Sequence, residues 1–293
     1  SGPFRSQRHA LVSGSKVRDV DLPWWVSSSA LRLSCSRLWR KFSCRSIRPE
    51  QPGRGRRIDP NQSAAAVDPD APAIERFGAA YDNPDDKPLM SIVLIDDGST
   101  ASPAAALAAL PFGVTVALNP TLPDAAARLT AYRAAGLEVA MQAALPQGAT
   151  PVDVEVALQA GFDVLPEAAM VIDAGGDGAS NGRAITDQII AALAENGMGF
   201  VTVTKGLNTG LRNAAAAGVP ASAVFRDLDS DGQNARVIGR FMDQAAFRAR
   251  QGSGVVLMGR VRPETLEALQ QWGNANHAGQ VALVPVSAVL TAE

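Results

Sequence analysis

Ser91-Ile92-Val93-Leu94-Ile95-Asp96-Asp97-Gly98-Ser99 is a run of five strand-forming or small residues that ends in two carboxylates and a glycine turn. A buried parallel strand reads as such a continuous apolar run, and parallel α/β folds build their sites on the loops that follow strand C-termini. Downstream, the pattern repeats. Short β-branched runs near 91–95, 114–118, 138–142, 169–172, 199–204, 222–226, 254–258 and 281–285 alternate with amphipathic stretches near 101–109, 121–135, 151–164, 182–196, 208–217, 232–250 and 262–276. Strict alternation of this kind predicts parallel strands with helical crossovers. Eight runs favour a distorted (β/α) barrel of 7–8 strands over an open sheet. Pro103, Pro151 and Pro263 stand at expected helix starts, and Gly136, Gly161, Gly197 and Gly218 at expected helix ends.

Charge divides the chain. Residues 1–57 hold 13 of the 27 Lys+Arg but only Asp19, Asp21 and Glu50 among the acids, a balance of +10 that leaves −12 for the remainder. This first part is rich in Ser and Arg, contains Cys35 and Cys44, and shows no sustained periodicity, so it is expected to be a disordered basic leader. Its Arg37-Leu38-Trp39-Arg40-Lys41-Phe42 segment also has the composition of an arm that touches phosphates or anionic lipid, without the features of specific nucleic-acid recognition. Residues 58–88, with repeated Asp-Pro, Ala-Pro, Asn-Pro and Lys-Pro steps, read as an acidic linker, and 89–293 as the barrel. No stretch approaches the length of a membrane span, and no signal-peptide pattern is visible.

The barrel region contains a single histidine, His277, and no cysteine, which removes most soft-metal and nucleophile chemistry. His277 reads as a residue near a helix C-terminus. Ser99 and Ser287 have no histidine partner for a hydrolytic triad. Carboxylates instead crowd the expected strand ends: Asp96-Asp97, Asp173, Asp177 within Gly175-Gly176-Asp177-Gly178, and Asp227-Leu228-Asp229-Ser230-Asp231. Some should be helix caps, Asp231 before 232–250 and Ser180 or Asn181 before 182–196 among the candidates. Asp227-x-Asp229-x-Asp231-Gly232 opens like a calcium loop, but Ile238 stands where the bidentate Glu belongs. The glycine-rich turn lacks the Lys-Ser/Thr ending of a P-loop.

Taken in order, Ile95-Asp96-Asp97-Gly98, Leu110-Pro-Phe-Gly-Val-Thr-Val-Ala-Leu-Asn-Pro120, Ala134-Ala-Gly-Leu-Glu-Val139, Gly259-Arg-Val-Arg-Pro-Glu-Thr-Leu266 and Val284-Pro-Val-Ser-Ala-Val-Leu290 resemble the divergent polysaccharide deacetylases. The resemblance spans about 200 residues, from 90 to 290. It implies a carbohydrate-esterase barrel, metal-assisted removal of acetyl groups from N-acetylated sugars, and a periplasmic or cell-envelope location. It gives Asp96 the position of the catalytic base and Asp97 that of a metal ligand. Where the family carries histidines after the third, fourth and seventh strands, this chain has Gln142, Asp177 and Arg260. The Asp usual after the fifth strand is Thr202, while Asp229 remains. Asn119, Asp173, Thr202 and Asp229 would form a substrate rim.

Asp97, Asp177 and Gln142 make a poor zinc site, though oxygen donors suit Mg²⁺, Mn²⁺ or Ca²⁺. The fixed charge of Arg260 is expected to pair with Asp96 or Asp97 and displace the ion, leaving no resident cofactor. The expected protein is thus a degenerate deacetylase that binds glycan or serves as an interaction module. The alternatives are an active metal-dependent amide hydrolase and a scaffold for an envelope protein partner.

Overall fold

The computed structural model describes residues 68–292 except 147, 175–181, 204–208, 253 and 276–278. Asp177, His277 and the basic leader lie outside the described residues. The strands are β1 (Leu89–Asp96), β2 (Thr115–Leu118), β3 (Glu138–Gln142), β4 (Met170–Asp173), β5 (Gly199–Thr202), β6 (Ala221–Asp227), β7 (Val255–Arg260) and β8 (Ala282–Leu283). All pairings are parallel. The sheet runs β2-β3-β4-β5-β6-β7-β1, and β1 pairs β2 again, so seven strands close a barrel.

The eighth run is not a stave. β8 pairs only Leu89 and Met90 at the start of β1, whereas β2 pairs Val93 to Asp96. The chain then turns into helix α9 (Val286–Thr291), which the sequence pattern did not predict. Val284, Val286, Ala288 and Val289 join Val93, Ile95, Ala117, Ala140, Ile172, Val201, Val256 and Met258 in one buried apolar cluster. The barrel is therefore filled at its N-terminal end by α9.

A buried carboxylate fixes this plug. Glu138, fully buried at the start of β3, accepts from Thr115 Oγ1 at 2.8 Å, from Ser287 N and Ala79 N at 3.1 Å each, and from Ser287 Oγ. Thr115 Oγ1 in turn accepts from Val286 N at 3.0 Å. Each carboxylate oxygen of Glu138 thus has donors, as a buried polar group requires.

A second, larger apolar layer lies between the barrel and its outer helices α2 (Ala104–Ala108), α3 (Ala125–Ala134), α4 (Pro151–Val164), α5 (Arg183–Asn196), α6 (Thr209–Ala216), α7 (Ala235–Ala249) and α8 (Pro263–Gly273). Local chemistry explains their limits. Thr150 and Asp153 form a reciprocal capping box at α4 with Pro151 in the first turn. Asn234, not Asp231, caps α7 through Val237 N, while Asp231 N bonds Gln233. Gly161 inside α4 allows close approach, since a Cβ there would sit 2.5 Å from Met141 Sδ. Gly197 ends α5 in the left-handed conformation, φ 60°.

The described part of 58–88 differs from an extended linker. Residues 73–77 form a short helix, α1 (Ala73–Phe77), with Ile74 buried and its N–H donating to Gly197 O at 3.0 Å. Arg133 donates to Phe77 O, and Ala79 reaches Glu138. The apolar Ala73 and Ile74 gave this segment something to bury, and its Pro-rich flanks masked that signal.

Candidate functional site

Side chains alternate across a strand with a period of two. Continuing the inward-facing set beyond its apolar members, Ile95, Ala117, Ala140, Ile172, Val201 and Met258 are succeeded by Asp97, Asn119, Gln142, Ala174, Val203 and Arg260. The C-terminal mouth of the barrel is thus lined by polar groups on β1, β2, β3 and β7 and by small or apolar ones after β4 and β5.

The same alternation separates the two adjacent carboxylates. Asp96 faces the helices, fully buried, and accepts from Arg128 Nη1 at 2.9 Å and Tyr132 Oη at 2.5 Å, both on α3. Burial, and then the bond to Asp96, raise the phenol pKa of Tyr132 well above its ordinary value. Arg128 also donates to Thr100 O and Gly98 O, tying down the loop after β1, and its Nε engages Asp124. Neither Arg128 nor Tyr132 was singled out from sequence. Their i,i+4 spacing on the α3 face that buries Ala125 and Leu129 was the available signal.

Asp97, by contrast, is exposed. Its Oδ1 accepts from Ser99 N at 2.9 Å, and hydrogen bonding from Ser99, aided by the more distant charge of Arg262, holds its pKa below the ordinary value. Gln142 donates to Ala117 O at 2.9 Å and, at 3.5 Å, to Asp96 O. Asn119 accepts from Thr121 N and Oγ1 in a local turn.

Arg260 does not pair with Asp96 or Asp97. Its Nη1 donates to Asp227 Oδ1 at 2.9 Å and Asp229 Oδ1 at 2.7 Å, and its Nη2 to Asp227 Oδ2 at 3.1 Å. The strand register explains the choice. Asp227 is level with Met258, which brings Asp229 level with Arg260, whereas the β1 partner of Arg260 is Ile95, two residues short of Asp97. An irregularity in β6 between Val224 and Arg226 turns Asp227 back toward the mouth. Burial opposes the charge on Arg260, but the two carboxylates outweigh it and raise the guanidinium pKa.

Asp229 is itself buried, not a solvent-facing rim residue. Its Oδ2 accepts from Arg260 N and, at 2.6 Å, from Thr265 Oγ1. Asp173 and Thr202 sit level on β4 and β5, their side chains 3.4 Å apart, on the helix-facing set rather than the mouth. Among the described residues no three or more His, Cys, Asp or Glu side chains converge in a metal-holding arrangement. No described helix is long and apolar enough to cross a membrane.

One solved structure agrees with this architecture, and a family profile covers most of the barrel. A family profile for divergent polysaccharide deacetylase matches residues 92–290. Among solved structures, an uncharacterized protein from Agrobacterium tumefaciens C58 is similar with a TM-score of 0.67 and 16% identity, over 74% of this chain and 95% of that one. The catalytic domain of a peptidoglycan N-acetylglucosamine deacetylase from Eubacterium rectale ATCC 33656 is also similar, with a TM-score of 0.45 and 14% identity over 71% of this chain and 91% of that one. No curated protein matches.

Proposed function

Because this chain belongs to the divergent polysaccharide deacetylase family, we propose that it is a degenerate member whose barrel mouth binds an envelope glycan without hydrolysing it. The observation that carries this reading is Arg260 lying across Asp227 and Asp229. The guanidinium occupies oxygens of both carboxylates and offsets one of their two negative charges, which weakens the hold on a second cation there.

The family resemblance implies a divalent metal, and the described residues do not fit one. Asp96 is engaged by Arg128 and Tyr132, and Asp227 and Asp229 by Arg260. Of the expected donors that are described, Asp97 and Gln142 remain. With Asp96 buried behind its partners, the base position also lacks access to a substrate amide. The polar groups of the mouth are better suited to recognition. Asp97, Asn119 and Gln142 offer acceptors and donors to sugar hydroxyls from three successive strands.

Titration of the full chain with N-acetylated glucosamine oligomers, followed by calorimetry, tests this reading. Saturable heat that weakens several-fold in Asp97→Ala and Gln142→Ala supports it, and no heat at any oligomer concentration refutes it. One observation favours the active alternative. Asp97 is exposed, and hydrogen bonds from Ser99 lower its pKa, so the mouth keeps one carboxylate free for an oxygen-loving ion; acetate release with such an ion would favour that alternative.

A further inference from the structure

Outside the mouth, the described residues of the acidic body include a cationic face. Arg236 and Arg240 on α7, with Arg248 in its last turn, are exposed, as are Arg226 at the end of β6 and Arg250 just past α7. Among the described residues, none of Arg226, Arg236, Arg240 and Arg248 forms a hydrogen bond or an ion pair with an acid. Arg128, Arg133, Arg183 and Arg260, by contrast, pair with acids, while Arg250 donates to Gln280 Oε1 and Arg262 to the Asp229 carbonyl. The single acid on α7, Asp243, accepts from Trp272 Nε1 at 2.9 Å. The preceding helix, α6, adds Arg212 and no acid, while Glu264 and Glu267 on α8 bound the face on its other side.

Aromatic rings lie within this face. The Arg226 guanidinium stacks 4.5 Å from the Phe241 ring centroid, and that of Arg250 lies 5.4 Å from Phe247, which is 57% exposed. Stacking leaves the N–H edge of Arg226 directed to solvent, where it can meet oxyanions. Helical spacing aligns Arg236, Arg240 and Phe247 along one stripe of the exposed side.

We propose that this face of α7 docks on an anionic phospholipid surface, with the arginines at the phosphates and Phe247 at headgroup depth. Charge complementarity supplies the attraction, and the acid-rich remainder of the body orients the molecule by repulsion. A planar bilayer is favoured over a polymer because the arginines occupy the outward side of one outer helix of the barrel. The amphipathic pattern of α7, with Ile238, Met242, Ala245 and Ala249 buried opposite, holds the face rigidly.

The test uses the full chain with Cys35→Ser and Cys44→Ser and an environment-sensitive fluorophore at Gln244→Cys, on the exposed side of α7. A second label at Val152→Cys on α4 is the control. Vesicles containing phosphatidylglycerol should blue-shift the label at 244 and not that at 152. Phosphatidylcholine vesicles should shift neither, and high salt should abolish the effect. Arg236→Ser with Arg240→Ser and Arg248→Ser should weaken the response roughly a hundredfold, from about fivefold per arginine. Because the basic residues of 1–57 remain present, vesicle binding that leaves the 244 label in water would assign attraction to that segment and overturn the proposal. So would equal shifts at both labels, an unchanged response in the triple variant, or a shift produced by duplex DNA and not by vesicles.

Discussion

Arg260 Nη1 stands 2.7 Å from Asp229 Oδ1, joining β7 to the loop after β6 at the barrel mouth. Asp229 is almost wholly buried, and Asp227 completes the cluster. Removing one member of a buried pair costs more than the pair contributes, because the remaining charge loses its partner without regaining water.

Arg260→Ala should therefore destabilise the protein by about 3 kcal/mol in urea unfolding at neutral pH. It should also leave Asp227 and Asp229 able to hold a hard cation, so calcium should raise the melting temperature of the variant and not of the parent. An equal calcium response in both proteins would contradict the ion pair as the group that excludes the metal.

At Asp96 the two partners differ in kind. Arg128→Ala removes the countercharge and three further bonds, and should cost about 3 to 5 kcal/mol. Tyr132→Phe removes one hydrogen bond and should cost about 1 to 3 kcal/mol. Chemical denaturation of both variants checks the order. Hydrogen exchange in 98–102 should quicken in Arg128→Ala only, since Arg128 alone binds the carbonyls of Gly98 and Thr100.

The Asp97 carboxyl is held below the ordinary 3.8 by hydrogen bonds from Ser99. A depressed folded-state pKa contributes stability that is present above the unfolded value and lost as pH falls through the folded one. That window lies below about pH 4. Ser99→Ala should move the Asp97 titration upward, followed by carboxyl carbon chemical shifts, with no change in stability near neutrality from this ionisation.

Glu138 joins β2, β3, α9 and the segment before β1 through hydrogen bonds alone. Ser287→Ala should cost about 1 to 3 kcal/mol by leaving a buried acceptor short of a donor. The effect should appear as faster proteolysis of the C-terminal helix. Unchanged cleavage there would show that apolar packing of Val286 and Val289 holds the plug unaided.

Much of the fold is legible in the sequence because period and punctuation agree: Thr150 with Pro151, and Gly197 after Asn196, mark ends that the structure keeps. Two features escape such reading. Ala282 and Leu283 have the composition of a barrel stave, but only the competing edge of β2 decides that they pair two residues of β1. The partner of Arg260 depends on register and on the irregularity in β6, which no local pattern carries. The Asp96-Asp97 pair shows both sides of this. Its place at a strand end is visible in the residues, yet the alternation that sends one carboxylate to Arg128 and the other to the mouth matters only once the helices are in place.

One proton NMR experiment addresses the central claim most directly. The full chain is incubated with N-acetylated glucosamine oligomers and, in turn, Mg²⁺, Ca²⁺ or Zn²⁺, while the oligomer linewidths and the free acetate signal are followed together; with paramagnetic Mn²⁺ acetate alone is read, after the ion is removed. The account predicts broadened oligomer resonances and no growth of acetate with any ion. Acetate that accumulates with turnover, and ceases in Asp97→Ala, would contradict it.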